Sequence, residues 1–479
     1  MYLGGRKIGY SCQRLYLIPD GDDGSGAMYR SAWKTHMSVV RSGTPLEFVE
    51  SASVDEDASG LIRGFRYGVE SFAAGRRMTS NRVVGEADGE TLHVESNGYP
   101  MSVALPPACR GPRYLHELIR RERGNGSGHS FDTLVFVPEL AAVASLTVRF
   151  GETRQVSWCT GTGPLTEVTQ TWELRPAQPD VQWLDAEGEV RRTDVHVPAL
   201  GMVRLESCER EHALLPCEPV ELMSSAVIRS PRALERPREL RSLRMLLHCE
   251  PRAVSRLRAW EGQVVVPRGN GYVEVMLTVP ECPVRGRQLP VAWAPEREPY
   301  LRPTPFLECD APLIRDLAAR AVTGAGTTVT AATRIEAFVA RSIDQKTLDM
   351  GFATALETAK TMRGDCSEHA VLSAAMARAA GLPSQVVVGL AYMREGAFGI
   401  SPPEGLFVFH VWTEVLVAEH VWMPIDPALG RYDATHLARV KSPLITASPL
   451  ADLCLPVLEI VDHLQILEVD PPDRTVPLI

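Results

Sequence analysis

The 479-residue chain has no uninterrupted apolar run of the length a membrane-spanning helix needs, about 18 residues. Residues 1–10 lack the apolar centre of a secretory leader. The sequence as it starts therefore predicts a cytoplasmic location, and a leader upstream of Met1 would instead imply export. Excess positive charge is also missing. Lys and Arg number 50 against 59 Asp and Glu, a net charge of -9, which argues against broad binding to nucleic-acid phosphates. Among the ten cysteines there is no CxxC pair, so neither a small disulfide framework nor a zinc ribbon is expected. The nearest approach to a metal cluster is Cys208, His212 and Cys217, one ligand short and too widely spaced for structural zinc. Gly161-Thr162-Gly163 and Gly324-Ala325-Gly326 lack the strand-to-helix setting of a nucleotide loop and read as turns. No calcium-binding loop of the EF-hand type occurs. No metal and no cofactor is expected.

What is present is an ordinary globular composition, 45% hydrophobic and 23% charged. At about 150 residues per domain the length suggests roughly three domains. Residues 1–228 alternate apolar and polar positions in short runs broken by turn signals, such as Asp88-Gly89 before Thr91. They predict a large all-β region, a sandwich or open barrel. It could be two halves, about 1–110 and 130–225, around one helical stretch at 114–123. Residues 229–304 read as an Arg/Pro-rich linker and a small β subdomain, with a hairpin around Arg268-Gly269-Asn270-Gly271. From 305 the period becomes helical, and residues 305–455 form a further α+β domain. Residues 456–479 are left as a tail or strand.

The most informative stretch is 363–383. Asp365 and Glu368 form a variant of the capping box, an Ala-rich run follows, and Gly381 and Pro383 end it. Cys366 falls in the first turn, where the helix dipole favours a thiolate and where backbone N–H groups could hold an oxyanion. Residues 385–393 then read as a buried strand. Residues 406–417 and 421–427 read as an antiparallel hairpin. A three-residue turn would set Trp412 opposite Asp426, with His410 on the face of Trp412. An Asp in reach of a His fixes its tautomer, and the His can take the proton of a cysteine.

The runs Gly364-Asp365-Cys366-Ser367-Glu368-His369-Ala370, His410-Val411-Trp412-Thr413-Glu414-Val415 and Trp422-Met423-Pro424-Ile425-Asp426-Pro427 resemble the transglutaminase-like superfamily. The resemblance covers about 305–445 and extends to Gly351-Phe352-Ala353-Thr354-Ala355 upstream and Asp433-Ala434-Thr435-His436 downstream. Val411 stands where bacterial relatives often carry Ala. The resemblance implies a papain-like α+β catalytic domain, a nucleophile helix packed on an antiparallel sheet. It implies Cys366 as nucleophile, His410 as base and Asp426 as the orienting group. It also implies acyl transfer on peptide or carboxamide bonds of a protein or peptide substrate, with hydrolysis favoured over crosslinking. Trp412 is a substrate-binding candidate beside the site, or core that shields it. His369 and His436 have weaker claims. The alternative is a protein- or peptide-binding scaffold that uses the same fold without turnover.

Overall fold

The computed structural model describes residues 1–18, 27–41, 43–173, 178–197, 201–218, 220–221, 227–249, 257–282, 286–343, 353–395, 397, 400–447 and 464–471. Gly351 and Phe352 of the family-like run, and 456–463 and 472–479 of the tail, lie outside them. The chain forms two compact units, Met1–Leu222 and Met223–Ile479.

Among the described residues the first unit is built from two sheets, antiparallel except where Cys109–Arg110 runs parallel to its neighbour Ser130–Val137. Seven strands, from Gly9–Ile18 to Tyr99–Ala104, pair each with the next. The second sheet has nine strands and runs from Cys109–Arg110 to Gly201–Glu206, with Tyr2–Leu3 and Arg6–Lys7 added at the far edge. Alternation does the folding work. In Thr91–Ser96, Leu92 and Val94 turn inward and His93 and Glu95 outward. Ile8, Val39, Leu46 and Ala73 share one core with Val203, so the two sheets bury their apolar faces against each other. Phe65 and Phe136 meet edge to face at 4.7 Å.

The second unit is α+β. Its elements are β1 (Val227–Arg229), β2 (Ser242–His248), β3 (Gln263–Gly269), β4 (Tyr272–Thr278), α1 (Pro312–Ala321), α2 (Thr328–Ser342), α3 (Ala355–Thr361), α4 (Cys366–Ala379), β5 (Ser384–Met393), β6 (Leu406–Leu416), β7 (Trp422–Ile425), β8 (Leu437–Ser442) and β9 (Gln465–Asp470). A small sheet has the order β3-β4-β2-β9, so the C-terminal strand returns to the segment expected as a separate subdomain. The larger sheet has the order β1-β6-β5-β8, with β7 also on β6. Arg229, expected to open a linker, instead ends β1. That strand pairs with Leu406, Phe407 and Val408. It is only three residues long, too short for a period to show.

β5 is buried along almost its whole length, which explains why its sequence is a continuous apolar run and does not alternate. α4 is buried all round, with Ala at five of its fourteen positions. The Thr413 hydroxyl of β6 donates to the Ala370 carbonyl of α4 at 2.8 Å, one turn after Cys366.

Candidate active site

The start of α4 is over-determined. Asp365 is the N-cap and accepts from the Ser367 N–H at 2.9 Å and the Ser367 hydroxyl at 2.6 Å. Glu368 returns to the Asp365 N–H at 2.9 Å and also accepts the Ala353 N–H at 3.0 Å. Glu368 is fully buried, and burial, then the neighbouring Asp365, holds its carboxyl well above the ordinary range. Gly364 has φ +144°, and a Cβ there would lie 2.4 Å from Glu368 Cβ, so the residue before the cap must be glycine. Cys366 is the first residue of the helix and only partly buried, whereas Ser367 to Arg378 are buried behind it. The Ser367 amide is spent on Asp365 and the His369 amide on the Asp365 carbonyl. Of the first-turn donors expected for an oxyanion, these two are therefore committed within the helix start.

The β6–β7 hairpin pairs Thr413 with Ile425 and Leu416 with Trp422. Continued by one residue, this register sets Trp412 opposite Asp426. His410 lies between the stretches of β6 that pair β1 and β7, where that edge opens. His410 Nε2 donates to Asp426 Oδ2 at 2.8 Å, and both residues are buried, at 4% and 0% exposure. Asp426 Oδ1 accepts from the Ala428 and Leu429 amides at 3.0 and 3.2 Å. Its own amide donates to Glu336 Oε1 of α2 at 2.8 Å. Burial pushes the Asp426 carboxyl up, but His410 and His436 outweigh it and hold it far below the ordinary carboxylate range. Burial raises Glu336 to about 7, against the Asp426 amide that it accepts.

His436, given a weak claim from sequence, is a full member of this cluster. Its Nε2 donates to Asp426 Oδ2 at 3.0 Å. Gly389, paired with His410 across the β5–β6 ladder, explains the close approach. The β5–β8 register shifts between Val388 and Gly389, and a Cβ at Gly389 would lie 1.9 Å from the Leu437 carbonyl oxygen. Only glycine lets β8 come in at this level and bring His436 beside Asp426. Asp433 accepts the Thr435 amide at 2.7 Å, and Arg238 donates to its other oxygen.

Trp412 is 1% exposed and packs with Val387 and Ala438. It stacks on His410 at 6.2 Å and meets His436 edge-on at 5.1 Å. These are packing contacts, which hold the ring beside both imidazoles. His369 Nδ1 is 2.6 Å from the Asp365 carbonyl, which ties that ring to the helix start. Among the described residues the one set of ligand-type atoms that converges, within 4.8 Å, is that of His410, Asp426 and His436. Those atoms are already joined as two N–H···O hydrogen bonds, the pattern of a proton network. Cys208, His212 and Cys217 form no such set among the described residues, and His212 Nε2 instead lies 2.9 Å from the Tyr2 hydroxyl.

The site thus combines a half-buried cysteine that opens a helix, the sheet against which that helix packs, and a buried His–Asp pair on that sheet. Residues 315–427 match the model of the transglutaminase-like superfamily. No curated protein matches the chain. Among solved structures, a β-barrel-like protein of an unassigned domain family from Brucella abortus is 15% identical over 42% of this chain and 97% of its own, with a TM-score of 0.31. A proposed cysteine protease from Cytophaga hutchinsonii is 14% identical over 49% and 84%, with a TM-score of 0.30. A proposed protease from Parabacteroides distasonis is 10% identical over 74% and 62%, with a TM-score of 0.17. None of the three reaches a TM-score of 0.5.

Proposed function

We propose that the chain is a cysteine-dependent acyl-transfer enzyme acting on peptide or carboxamide bonds, with Cys366, His410 and Asp426 as its triad and hydrolysis as its main outcome. The observation that carries the reading is the buried His410–Asp426 hydrogen bond of 2.8 Å in the domain whose nucleophile helix begins at Cys366. Asp426 accepts the hydrogen bond of Nε2–H, so Nδ1 of His410 is the nitrogen that exchanges a proton with the reaction. The Cys366 thiolate attacks the carbonyl carbon. The C–N bond breaks as His410 gives its proton to the leaving amine, and a thioester remains. Water, giving a proton to His410, attacks the thioester, and the acid and the thiolate are released. A primary amine in place of water gives transamidation by the same steps.

Iodoacetamide labelling across pH, read by peptide mass spectrometry, tests the nucleophile. Cys366 should react well below the ordinary thiol pKa of about 8.5, and His410→Ala should remove that advantage. Labelling of Cys366 indistinguishable from the other cysteines, and unchanged by His410→Ala, would overturn the reading in favour of a binding scaffold. A substrate screen with an added primary amine, and Cys366→Ala as control, separates the two outcomes by product mass. Turnover in Cys366→Ala should fall by at least about a thousandfold.

A further inference from the structure

His436 is 1% exposed, and both of its ring nitrogens face atoms that only accept. Nε2 is 3.0 Å from Asp426 Oδ2. Nδ1 is 2.9 Å from the Asp433 main-chain carbonyl and 3.5 Å from Asp433 Oδ1. A carbonyl oxygen carries no proton to give, and neither does an ionised carboxylate. A neutral imidazole has one N–H, so one of these two contacts would set lone pair against lone pair in a buried site. Only an imidazolium satisfies both.

The charges around the ring agree. Asp426 at the end of β7 and Asp433 before β8 are the two carboxylates that touch it. Asp433 also receives Arg238, and the Asp426 amide is held by Glu336 of α2. From β6 come His410, with ring centroids 5.4 Å apart, and the Trp412 ring; Tyr432 covers another side at 4.5 Å. Glu414 of β6 acts on Tyr432 from further out and is itself paired with Lys441 of β8. With His436 charged, Asp426, Asp433, Arg238 and His436 sum to zero. With it neutral, one uncompensated negative charge would be buried among these side chains. Burial alone disfavours the charged ring, but the bonds to Asp426 and Asp433 outweigh it and lift His436 to about 9.

We infer that His436 is a positioning residue held as an imidazolium, which bonds the same Asp426 oxygen, Oδ2, that accepts from His410 and so divides that carboxylate between two rings. The inference deepens the acyl-transfer reading above and rests on it for its catalytic consequence. If Asp426 faced His410 alone, its whole charge would hold the proton there. Sharing it leaves His410 able to give a proton to a leaving amine and to take one back from water.

The protonation state is read directly by nitrogen NMR of the full chain labelled at histidine. Assignment comes from the signals lost in His436→Gln or from contacts with the Tyr432 ring. Both nitrogens of His436 should report N–H from pH 6 to 8, and a single-proton tautomer at pH 7 overturns the inference. The second readout is the pH profile of Cys366 alkylation. Removing a fixed cation should move the profile of His436→Gln to higher pH by about one unit, whereas Asp433→Asn, which removes a fixed anion and leaves the cation, should give a smaller shift to lower pH. A slower reaction with an unmoved profile is what a merely structural residue would give, and it overturns the inference. Should His436→Gln not fold, the wild-type spectrum and Asp433→Asn decide. Should Cys366 show no activated labelling at all, the acyl-transfer reading falls, while the spectrum still settles the charge on His436.

Discussion

Two helix starts, one in each unit, meet the same physical problem in different ways. Both leave backbone N–H groups and a partial positive charge at their first turn. In the first unit the helix Pro112–Glu122 has no side-chain cap of its own. Glu56, 0% exposed on a strand of the seven-stranded sheet, fills the gap by accepting from the Arg113 amide at 2.8 Å and the Tyr114 amide at 3.3 Å. In the second unit α4 caps itself through Asp365 and Glu368, and a half-buried thiol stands at the same end. One positive end is plugged by a distant carboxylate, and the other is capped from within its own first turn and carries a thiol. Both Glu56 and Glu368 are buried acids pushed up by burial, so a buried acid alone does not mark a site. What marks one is convergence, as where Asp426 gathers two imidazoles.

The largest effect that separates the two regions is expected at Asp426. Asp426→Asn keeps the size and the Oδ1 acceptor but loses the charge that both histidines share. Turnover should fall by about a hundredfold to ten-thousandfold, as when an orienting Asp is lost elsewhere. The fold should lose stability as well, in a pH-dependent way. A carboxyl held below its unfolded value stabilises the fold above about pH 4, and that contribution disappears as pH falls. The stability difference between wild type and variant, from urea melts at several pH values, should therefore be largest near neutrality and shrink toward pH 3. A difference independent of pH would mean that the charge of Asp426 is not what the variant removed.

The converse test lies in the first unit. Glu56→Ala removes the plug from the helix start and leaves two buried amides without a partner. It should cost about 2–3 kcal/mol in the first unit's unfolding transition. The pH profile of Cys366 labelling should not move. A shift in that profile would break the comparison, because it would tie a structural cap in one unit to the chemistry of the other.

These contrasts show what the residues announced in advance. The α4 start was legible because its capping box, its Ala-rich body and its Gly381 stop are all local. The hairpin register was legible because a short turn and period two leave one pairing, and Thr413 opposite Ile425 is that pairing. His436 was hard to place because its position depends on a register shift between β5 and β8 and on the missing side chain of Gly389. The run Asp433 to His436 was visible, but no spacing rule says that an imidazole there shares a carboxylate with one 26 residues earlier. Arg238 reaches Asp433 across nearly two hundred residues of chain, and no local pattern encodes that contact. For residues 1–228 the period-two pattern gave the all-β class, while the division into seven and nine strands depends on turns and edges that alternation does not count.

The smallest effect concerns Glu336, which no motif marks because α2 meets the Asp426 amide only in the folded chain. Burial holds its carboxyl at about 7, against 4.5 unperturbed. An acid whose folded value is raised favours the fold in its neutral form, so stability is highest below pH 4.5 and declines as pH rises through about 7. Glu336→Gln keeps an oxygen for the Asp426 amide and never ionises. At pH 5 the variant and wild type should be close in stability. At pH 8 the variant should be the more stable by on the order of 1 kcal/mol, after allowance for solvent at this partly exposed side chain. Urea melts at the two pH values read this directly. If the variant is instead less stable at pH 8, the ionised carboxylate supports the Asp426 loop, and the cluster's negative charge is better compensated than its burial implies.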